Sequence, residues 1–469
     1  MTDLIALGVG AAGDLLARGE ISAAALTRAY LERIAAVEPA LHCYVSLRAE
    51  DAVAEGHASD ARRRRGESRG PLDGIPLALK DNIDLAGLPT THGMGPRGDA
   101  VPARDAEVTR RLREAGAVVL GKLNMHEGAL GATTDNPHCG RTDNPWRSGF
   151  TPGGSSGGTG AAVAARLCAA GLGTDTMGSV RLPAALCGVV GLKPTFGLVS
   201  ARGVAPLSPR LDTVGPLARS AADAALLLDA MAGFDPEHPG SAEHPGAPLG
   251  HLPDREGLAG VTIAIAEELD RIEVDADVRR AFEQSVAGLE RLGASVIRVE
   301  LGGYEAAVAR RAGFLVSEAD GAVIHEQDLA AWPGAFSPEF RRMLEYGRDA
   351  SAARLVKAER LIERAGFLLR RALRRADLIA CPTAPRPAFP FGAPAPVDLA
   401  DLTAIANFGG CPAISLPCGL ASSGLPVGLQ LIGPPFGERA LLAVARAFEI
   451  ARGAAPTPPE WFDRAHPHP

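Results

Sequence analysis

Lysine is nearly absent from this chain. Of its 48 basic residues only four are lysine, at positions 80, 122, 193 and 357, and three of these lie in the glycine-rich first half. Lysine can lose its proton when it is buried, whereas arginine stays charged. A chain that otherwise uses arginine would keep lysine where a neutral amine is needed. Arginine-favouring codon usage explains the bias equally well.

Aromatic residues and excess positive charge are also scarce. Phe, Trp and Tyr make up 4% of the chain, and the formal net charge is −7 with a pI near 5.9. Proteins that bind nucleic acids usually carry basic patches, and those that bind single strands stack aromatic side chains on the bases. The one basic cluster, four arginines at 62–65, is typical of the solvated end of a helix. The composition therefore argues against nucleic acid as a partner.

Long apolar runs and paired cysteines are missing as well. No stretch of about 18 apolar residues occurs, so no membrane span is expected. The N-terminus lacks the basic segment and apolar core of a signal peptide. The seven cysteines include no C-x-x-C pair, which indicates neither a disulfide framework nor a zinc site. We expect a cytoplasmic protein without membrane contact, metal or cofactor.

The most distinctive stretch that is present spans residues 151–194. It places Ser155 and Ser179 in glycine-rich turns, with a run of small residues between them. Glycine allows close approach of the backbone and adopts conformations that other residues avoid. Such turns leave peptide N–H groups free, and a serine beside free N–H donors is typical of acyl-transfer nucleophiles. The stretch therefore predicts a site for serine chemistry.

Around this stretch, helices alternate with short apolar strands. Residues 74–79 suit a buried strand, and Lys80 follows at its carboxyl end, where open α/β sheets bind ligands. Ser22 should cap an early helix that Pro39 ends. The alternation predicts an α/β fold in a single domain over residues 1–469. Its parts are N-terminal helices at 1–66, a core at about 70–220, a surface linker at about 234–257 and a variable pocket region at about 303–400.

Two simpler motif interpretations fit residues 151–194 less well. A phosphate-binding loop needs a lysine after its last glycine, and none follows Gly157 and Gly158. The nucleophile-elbow pattern G-x-S-x-G matches residues 153–157 and 154–158, but it also requires a downstream histidine as base. Almost all downstream histidines lie in Pro- and Gly-rich segments or the tail. A third interpretation uses both serines, with a lysine as base.

Four segments carry a family resemblance: GIPLALKDNID, GGSSGG, TDTMGSVRLPAALCGVVGLKPT and GLPVGLQLIG. In sequence and order they resemble the amidase signature family of serine hydrolases, and the likeness covers nearly the whole chain. The resemblance implies a three-layer α/β/α sandwich around a large mixed β-sheet. It also implies a Ser–cis-Ser–Lys triad, with Ser179 as nucleophile, Ser155 after a cis peptide as the bridging serine, and Lys80 as base.

The resemblance further implies the groups that surround this triad. The oxyanion hole would consist of backbone N–H groups, those of Thr176, Met177, Gly178 and Ser179. The substrate-binding residues would be Met125, Gly131, Thr133 and Met177.

Two positions depart from the family pattern. Met177 replaces the first glycine of the usual Gly-Gly-Ser turn, as is common in the branch that resembles biuret and allophanate hydrolases. A helical or bridge-like backbone would accommodate Met177, whose side chain would either wall the pocket or reflect neutral drift. His126 stands where the family more often has Asp, and we expect it to be an ordinary loop histidine.

Together these features predict a metal-independent serine amidohydrolase. It would cleave a carboxamide, or a related carbamate or urea C–N bond, to an acid and an amine through an acyl-enzyme on Ser179. We expect a small-molecule amide as its partner, no nucleic acid, and a homodimer as one option. The alternative is the A-type glutaminase subunit of a tRNA-dependent amidotransferase, which would need partner chains and against which Met177 argues weakly. A non-enzymatic role is disfavoured because Lys80, Ser155 and Ser179 are all intact.

Overall fold

The computed structural model describes residues 3–243 and 257–459. Within these residues the chain forms thirteen strands: β1 (Tyr44–Leu47), β2 (Pro76–Lys80), β3 (Val118–Leu123), β4 (Asp135–Asn136), β5 (Gly140–Arg141), β6 (Ala170–Asp175), β7 (Val190–Lys193), β8 (Thr213–Ala218), β9 (Thr262–Ala266), β10 (Ser295–Val299), β11 (Leu378–Pro382), β12 (Ala413–Leu420) and β13 (Pro426–Ile432).

The same residues form fifteen α-helices: α1 (Val9–Ala17), α2 (Ala23–Leu41), α3 (Ala49–Arg64), α4 (Glu107–Glu114), α5 (Gly157–Ala164), α6 (Arg181–Cys187), α7 (Ala221–Met231), α8 (Glu267–Asp270), α9 (Ala276–Arg291), α10 (Ala306–Ile324), α11 (Glu326–Ala331), α12 (Pro338–Arg348), α13 (Ala352–Ala372), α14 (Ala404–Phe408) and α15 (Glu438–Arg452). In the described part of the chain, none of these helices is long and apolar enough to cross a membrane.

Eleven strands join in one sheet, in the order β1-β3-β2-β6-β8-β7-β12-β13-β11-β9-β10. The sheet is mixed: β3, β2 and β6 run parallel, the strands from β6 through β8, β7, β12 and β13 to β11 pair antiparallel, and β11, β9 and β10 are again parallel. Helices pack on both sides of this sheet, which confirms the predicted α/β/α sandwich.

The sequence patterns located most of these elements, with one error. The apolar run at 74–79 corresponds to β2, and Ser22 caps α2 by accepting a hydrogen bond from the Ala25 N–H at 3.1 Å. Pro39 does not end α2, because the helix continues to Leu41 and stops where His42 adopts a left-handed conformation with φ of 54°. The predicted linker at 234–257 lies partly outside the described residues. Strands from both sides of it join the same sheet, and the detailed domain division stays a prediction.

Sheet topology brings the predicted base to the glycine-rich stretch. Strands β2 and β6 are parallel neighbours, with Leu77 opposite Ala170 and Leu79 opposite Leu172. Parallel neighbours end at the same edge of a sheet, so Lys80 at the end of β2 lies beside the end of β6. The turn that carries Ser179 begins there, directly after Asp175.

Candidate active site

Lys80 is fully buried and contacts two hydroxyl groups. Its Nζ donates to Ser155 Oγ and to Thr174 Oγ1, both at 2.7 Å. Burial lowers the pKa of Lys80 to about 7, against the opposing charges of Asp212 and Asp175. Near neutral pH a substantial fraction of this amine is therefore unprotonated and able to accept a proton.

The loop before Ser155 is held by hydrogen bonds on both sides. The Gly153 N–H donates to Thr151 Oγ1 at 2.9 Å, and the Gly153 carbonyl accepts from Thr134 Oγ1 at 2.8 Å. The Gly154–Ser155 peptide is cis, and the Ser155 carbonyl accepts from the His126 N–H at 3.0 Å. Side chains cannot replace hydrogen at Gly154, where a Cβ would lie 2.8 Å from the Ala132 carbonyl carbon.

Ser179 sits in a turn organised by the carboxylate of Asp175. Asp175 Oδ1 accepts from the Gly178 N–H at 2.7 Å, and Oδ2 accepts from the Val180 N–H at 3.1 Å. Gly178 has a φ of +135°, which only glycine adopts readily. Ser179 is half-buried, and its backbone carbonyl accepts a hydrogen bond from the Ser156 N–H at 3.3 Å. That bond ties the two serine turns together.

Arg181 anchors Asp175 from the first turn of α6. Its Nε and Nη2 each lie 2.9 Å from the Asp175 carboxylate, in a bidentate pair with both side chains fully buried. Burial alone would raise the pKa of Asp175, but the Arg181 charge and hydrogen bonds hold it well below its usual range. The remaining guanidinium hydrogen bonds go to residues from the other end of the chain: the Thr403 carbonyl, Asn407 Oδ1 and Gln430 Oε1.

Three of the four expected oxyanion donors are available. In the described part of the chain, the N–H groups of Thr176, Met177 and Ser179 have no hydrogen-bond acceptor, whereas the Gly178 N–H is engaged by Asp175. Met177 does not adopt a positive φ, in agreement with the backbone expected for it. Its carbonyl accepts from Thr403 Oγ1 at 2.7 Å.

A cavity of about 80 Å³ opens beside Ser179. Its lining is largely apolar and comes from Ala129, Leu130, Gly131, Ala132, Gly154, Thr176, Met177, Ser179, Leu182, Leu207, Phe314, Ser317 and Ala400. Leu130, Gly131, Ala132, Leu182, Phe314 and Ala400 also line a vestibule of about 1440 Å³, so the two spaces adjoin. The structure thus provides a narrow apolar pocket with a wide entrance.

The expected substrate-binding residues divide between these spaces and the core. Met177 and Gly131 line the inner pocket, and Thr133 lines the vestibule. Met125 lines neither and lies in a buried cluster with Met94 and Phe340. His126 also lines the vestibule, and burial lowers its pKa to about 4.

Asp212 is a half-buried acid that the sequence patterns did not single out. Its Oδ1 accepts from Thr176 Oγ1 at 2.5 Å, and its Oδ2 accepts from the N–H groups of Leu207 and Ser208 at 2.8 and 3.0 Å. Burial raises the pKa of Asp212 to about 6, which these hydrogen bonds and the Lys80 charge oppose. The charge of the Asp212 carboxylate raises the pKa of Lys80 and so opposes the effect of burial on that lysine.

The chain is similar to known proteins over nearly its whole length. The chain matches the Amidase family model over residues 25–442. It is 41% identical over 472 residues to the A-type subunit of glutamyl-tRNA(Gln) amidotransferase from Moorella thermoacetica, covering 93% of this chain and 94% of the relative.

Solved structures show the same likeness. The peptide amidase of Stenotrophomonas maltophilia superposes with a TM-score of 0.85 at 34% identity, over 96% of this chain and 98% of that one. A structure described as a vestigial protein complex that reveals the origins of an s-triazine catabolic enzyme superposes with a TM-score of 0.89 at 34% identity. It covers 96% of this chain and 99% of that one.

Fold and likeness together define a hydrolase that acts on carbon–nitrogen bonds. The chain belongs to the amidase signature family. Both the family resemblance and the predicted fold are thereby confirmed.

The expected set of partners is contradicted. We expected an enzyme that acts alone or as a homodimer on a small-molecule amide, without nucleic acid. The names of the curated relatives do not agree with that expectation. Those relatives, 38–41% identical, are named as the A-type subunit of glutamyl-tRNA(Gln) amidotransferase, which makes each of them one component of an enzyme named for a tRNA. Composition misled the prediction because net charge and aromatic content describe the chain as a whole and carry no information about a neighbouring chain.

The Asp175–Arg181 pair generates a stability prediction. Replacing Arg181 with Met should lower the free energy of unfolding by about 3–5 kcal/mol, because Asp175 would remain buried without its cation. Urea unfolding followed by circular dichroism measures the change. Arg65→Met, which breaks an exposed pair with Glu67, is the control and should leave the free energy of unfolding nearly unchanged. Equal effects of the two substitutions would contradict the role assigned to Arg181.

Proposed function

We propose that Ser179 attacks the carbonyl carbon of a carboxamide, with Lys80 as the base and Ser155 as the proton carrier between them. The observation that carries this proposal is the buried 2.7 Å contact from Lys80 Nζ to Ser155 Oγ, at an amine whose pKa is lowered to about 7. A serine hydroxyl is a weak nucleophile until a base removes its proton. In its neutral form Lys80 takes the proton of Ser155 while Ser155 takes that of Ser179.

The same groups serve the second half of the reaction. The tetrahedral intermediate places negative charge on the former carbonyl oxygen, and the N–H groups of Thr176, Met177 and Ser179 are the donors that stabilise it. Protonated Lys80 then returns its proton through Ser155 to the leaving nitrogen, and the C–N bond breaks. An acyl-enzyme on Ser179 remains, and water activated by the same relay hydrolyses it to the acid.

Substitution of the triad tests this mechanism. Ser179→Ala should abolish both hydrolysis and labelling by a fluorophosphonate probe, and Lys80→Ala or Ser155→Ala should lower kcat by roughly 10²–10⁴-fold. Ser285→Ala removes a buried hydroxyl outside the site, where it donates to the Ala281 carbonyl at 2.7 Å, and should leave kcat unchanged. If a downstream histidine such as His238 were required and Lys80 were not, the nucleophile-elbow interpretation would replace this one.

The pH profile tests the role of Asp212. Because Lys80 must be neutral, kcat/KM should rise with pH through about 7. The Asp212 charge raises the pKa of Lys80, so Asp212→Asn should lower that pKa and move the rise to a lower pH. Asp349→Asn, at an exposed residue that pairs with Arg348, is the control and should leave the profile in place. A shift to higher pH in Asp212→Asn would contradict the assignment.

We further propose that the amide is the side chain of glutamine and that the chain works as an A-type subunit. The observation that favours this role is the likeness to the A-type amidotransferase chains over nearly the full length of both proteins. The related amidase structures, including one described as a protein complex, are compatible with the same chemistry in other assemblies. A cytoplasmic location, expected from the sequence, belongs to this proposal.

Ammonia and glutamate release test the substrate. The purified chain should convert glutamine to glutamate, and Ser179→Ala should not, because acylation needs the nucleophile. Amides of unrelated structure, such as an aryl acylamide and biuret, provide the comparison. Cleavage of either of these, with glutamine left intact, would overturn the glutaminase role, and cleavage of biuret would in addition support the branch that Met177 indicates.

A further inference from the structure

Helix α10 presents one face to the substrate cavities. Arg310, Phe314, Ser317 and Glu318 follow one another at helical spacing and line the inner pocket, the vestibule or both. Phe314 lines both spaces, Ser317 only the inner pocket, and Glu318 only the vestibule. The helix therefore changes from apolar to charged along the path out of the pocket.

Glu318 differs from the other acidic side chains of the vestibule. Asp135 and Glu339 are exposed, whereas Glu318 is half-buried. Across residues 3–243 and 257–459, no hydrogen bond or ion pair reaches its carboxylate. A partly buried carboxylate without a partner is costly, because it loses water and gains nothing in return.

In the described part of the chain, no ion pair joins Glu318 to any of the four cations that line the vestibule, which are Arg310, Arg311, Arg354 and Lys357. Arg310 Nη1 lies 2.6 Å from Asp401 Oδ1, and both of these side chains are over nine-tenths buried. The exposed Arg354 covers the ring of Tyr346 at 4.6 Å from its centroid. Burial raises the pKa of Glu318 to about 7, and Arg354 opposes this only in part. An incoming cation would compensate Glu318 where the protein does not.

The apolar lining of the inner pocket restricts where a charged group of the substrate can lie. Leu130, Leu182, Leu207 and Phe314 surround the space beside Ser179, which is suited to a short methylene chain. A charge is unfavourable among such side chains. The charged end of a substrate bound to Ser179 would therefore extend into the vestibule, towards Glu318.

We propose that Glu318 binds a cationic group on the acyl side of the substrate, which for glutamine is its α-ammonium group. This inference rests on the proposed function and assigns recognition of the substrate's ammonium group to Glu318. Asp401 is already paired with Arg310, and Asp135 and Glu339 are exposed to water, which leaves Glu318 as the half-buried vestibule carboxylate suited to select a positively charged substrate.

Fragments of glutamine separate its two charges and test this assignment. 4-Aminobutanamide keeps the ammonium group alone, glutaramate keeps the carboxylate alone, and butanamide keeps neither. Glu318→Gln should raise KM about tenfold or more for glutamine and for 4-aminobutanamide, since a charge-assisted hydrogen bond is lost. KM for glutaramate and butanamide should not change. Glu339→Gln, in the same vestibule but exposed, is the matched control and should leave all four values unchanged.

Each result has one meaning. An increase in KM that is equal for all four amides would assign Glu318 a structural role and overturn the proposal, as would no change for any of them. A wild-type preference for glutaramate over 4-aminobutanamide would overturn it as well. If the wild type cleaves none of the four while it cleaves another amide, the glutamine role itself is wrong. Glu318→Lys should reverse the preference towards glutaramate, and thermal unfolding of each variant verifies that it is folded.

Discussion

The bidentate contact between Asp175 and Arg181 determines the shape of the candidate site. Asp175 ends a central strand, and its carboxylate binds the N–H groups of Gly178 and Val180 on either side of the nucleophile. Such a charge cannot be buried alone, and Arg181 compensates it. Because Arg181 also binds groups of α14 and β13, the turn that holds Ser179 is braced by segments more than 200 residues further along the chain. The turn that carries Ser179 and the second half of the sheet therefore depend on each other.

Three of the four lysines of this chain are buried, whereas the fourth, Lys357, is exposed. Lys80, Lys122 and Lys193 are all fully buried. Lys122 lies 3.1 Å from Asp81 and Lys193 donates to the Pro194 carbonyl, so these two have local partners of opposite charge or dipole. Among the described residues Lys80 forms hydrogen bonds only with the hydroxyl groups of Ser155 and Thr174, and its charged form is the least supported of the three. Desolvation lowers the pKa of Lys80 to about 7, as the proposed role of this residue as a base near neutral pH requires.

The site combines a general reaction centre with a particular entrance. The inner pocket is small and apolar, so it suits an unbranched acyl chain next to the carbonyl that is attacked. Charged groups appear only in the vestibule, and the helix α10 face that leads there carries Glu318. Relatives in this family are named both as subunits of an amidotransferase and as peptide amidase, so one fold carries more than one named activity.

The sequence by itself determined the family and the α/β fold, and it predicted the three residues of the proposed triad, because each is carried by a contiguous motif. Lys80 follows an apolar strand, and Ser155 and Ser179 lie in glycine turns whose conformation is local. The tertiary structure decided what surrounds them. Asp212, Thr403 and Asn407 lie outside the four resemblance segments, and Gln430 lies in the last of them without any role that the segment itself predicts. These residues reach the site because sheet order places β8, β12 and β13 where it does. Charge compensation is a property of neighbours in space, so neither the paired Arg310 nor the unpaired Glu318 could be recognised from the order of residues.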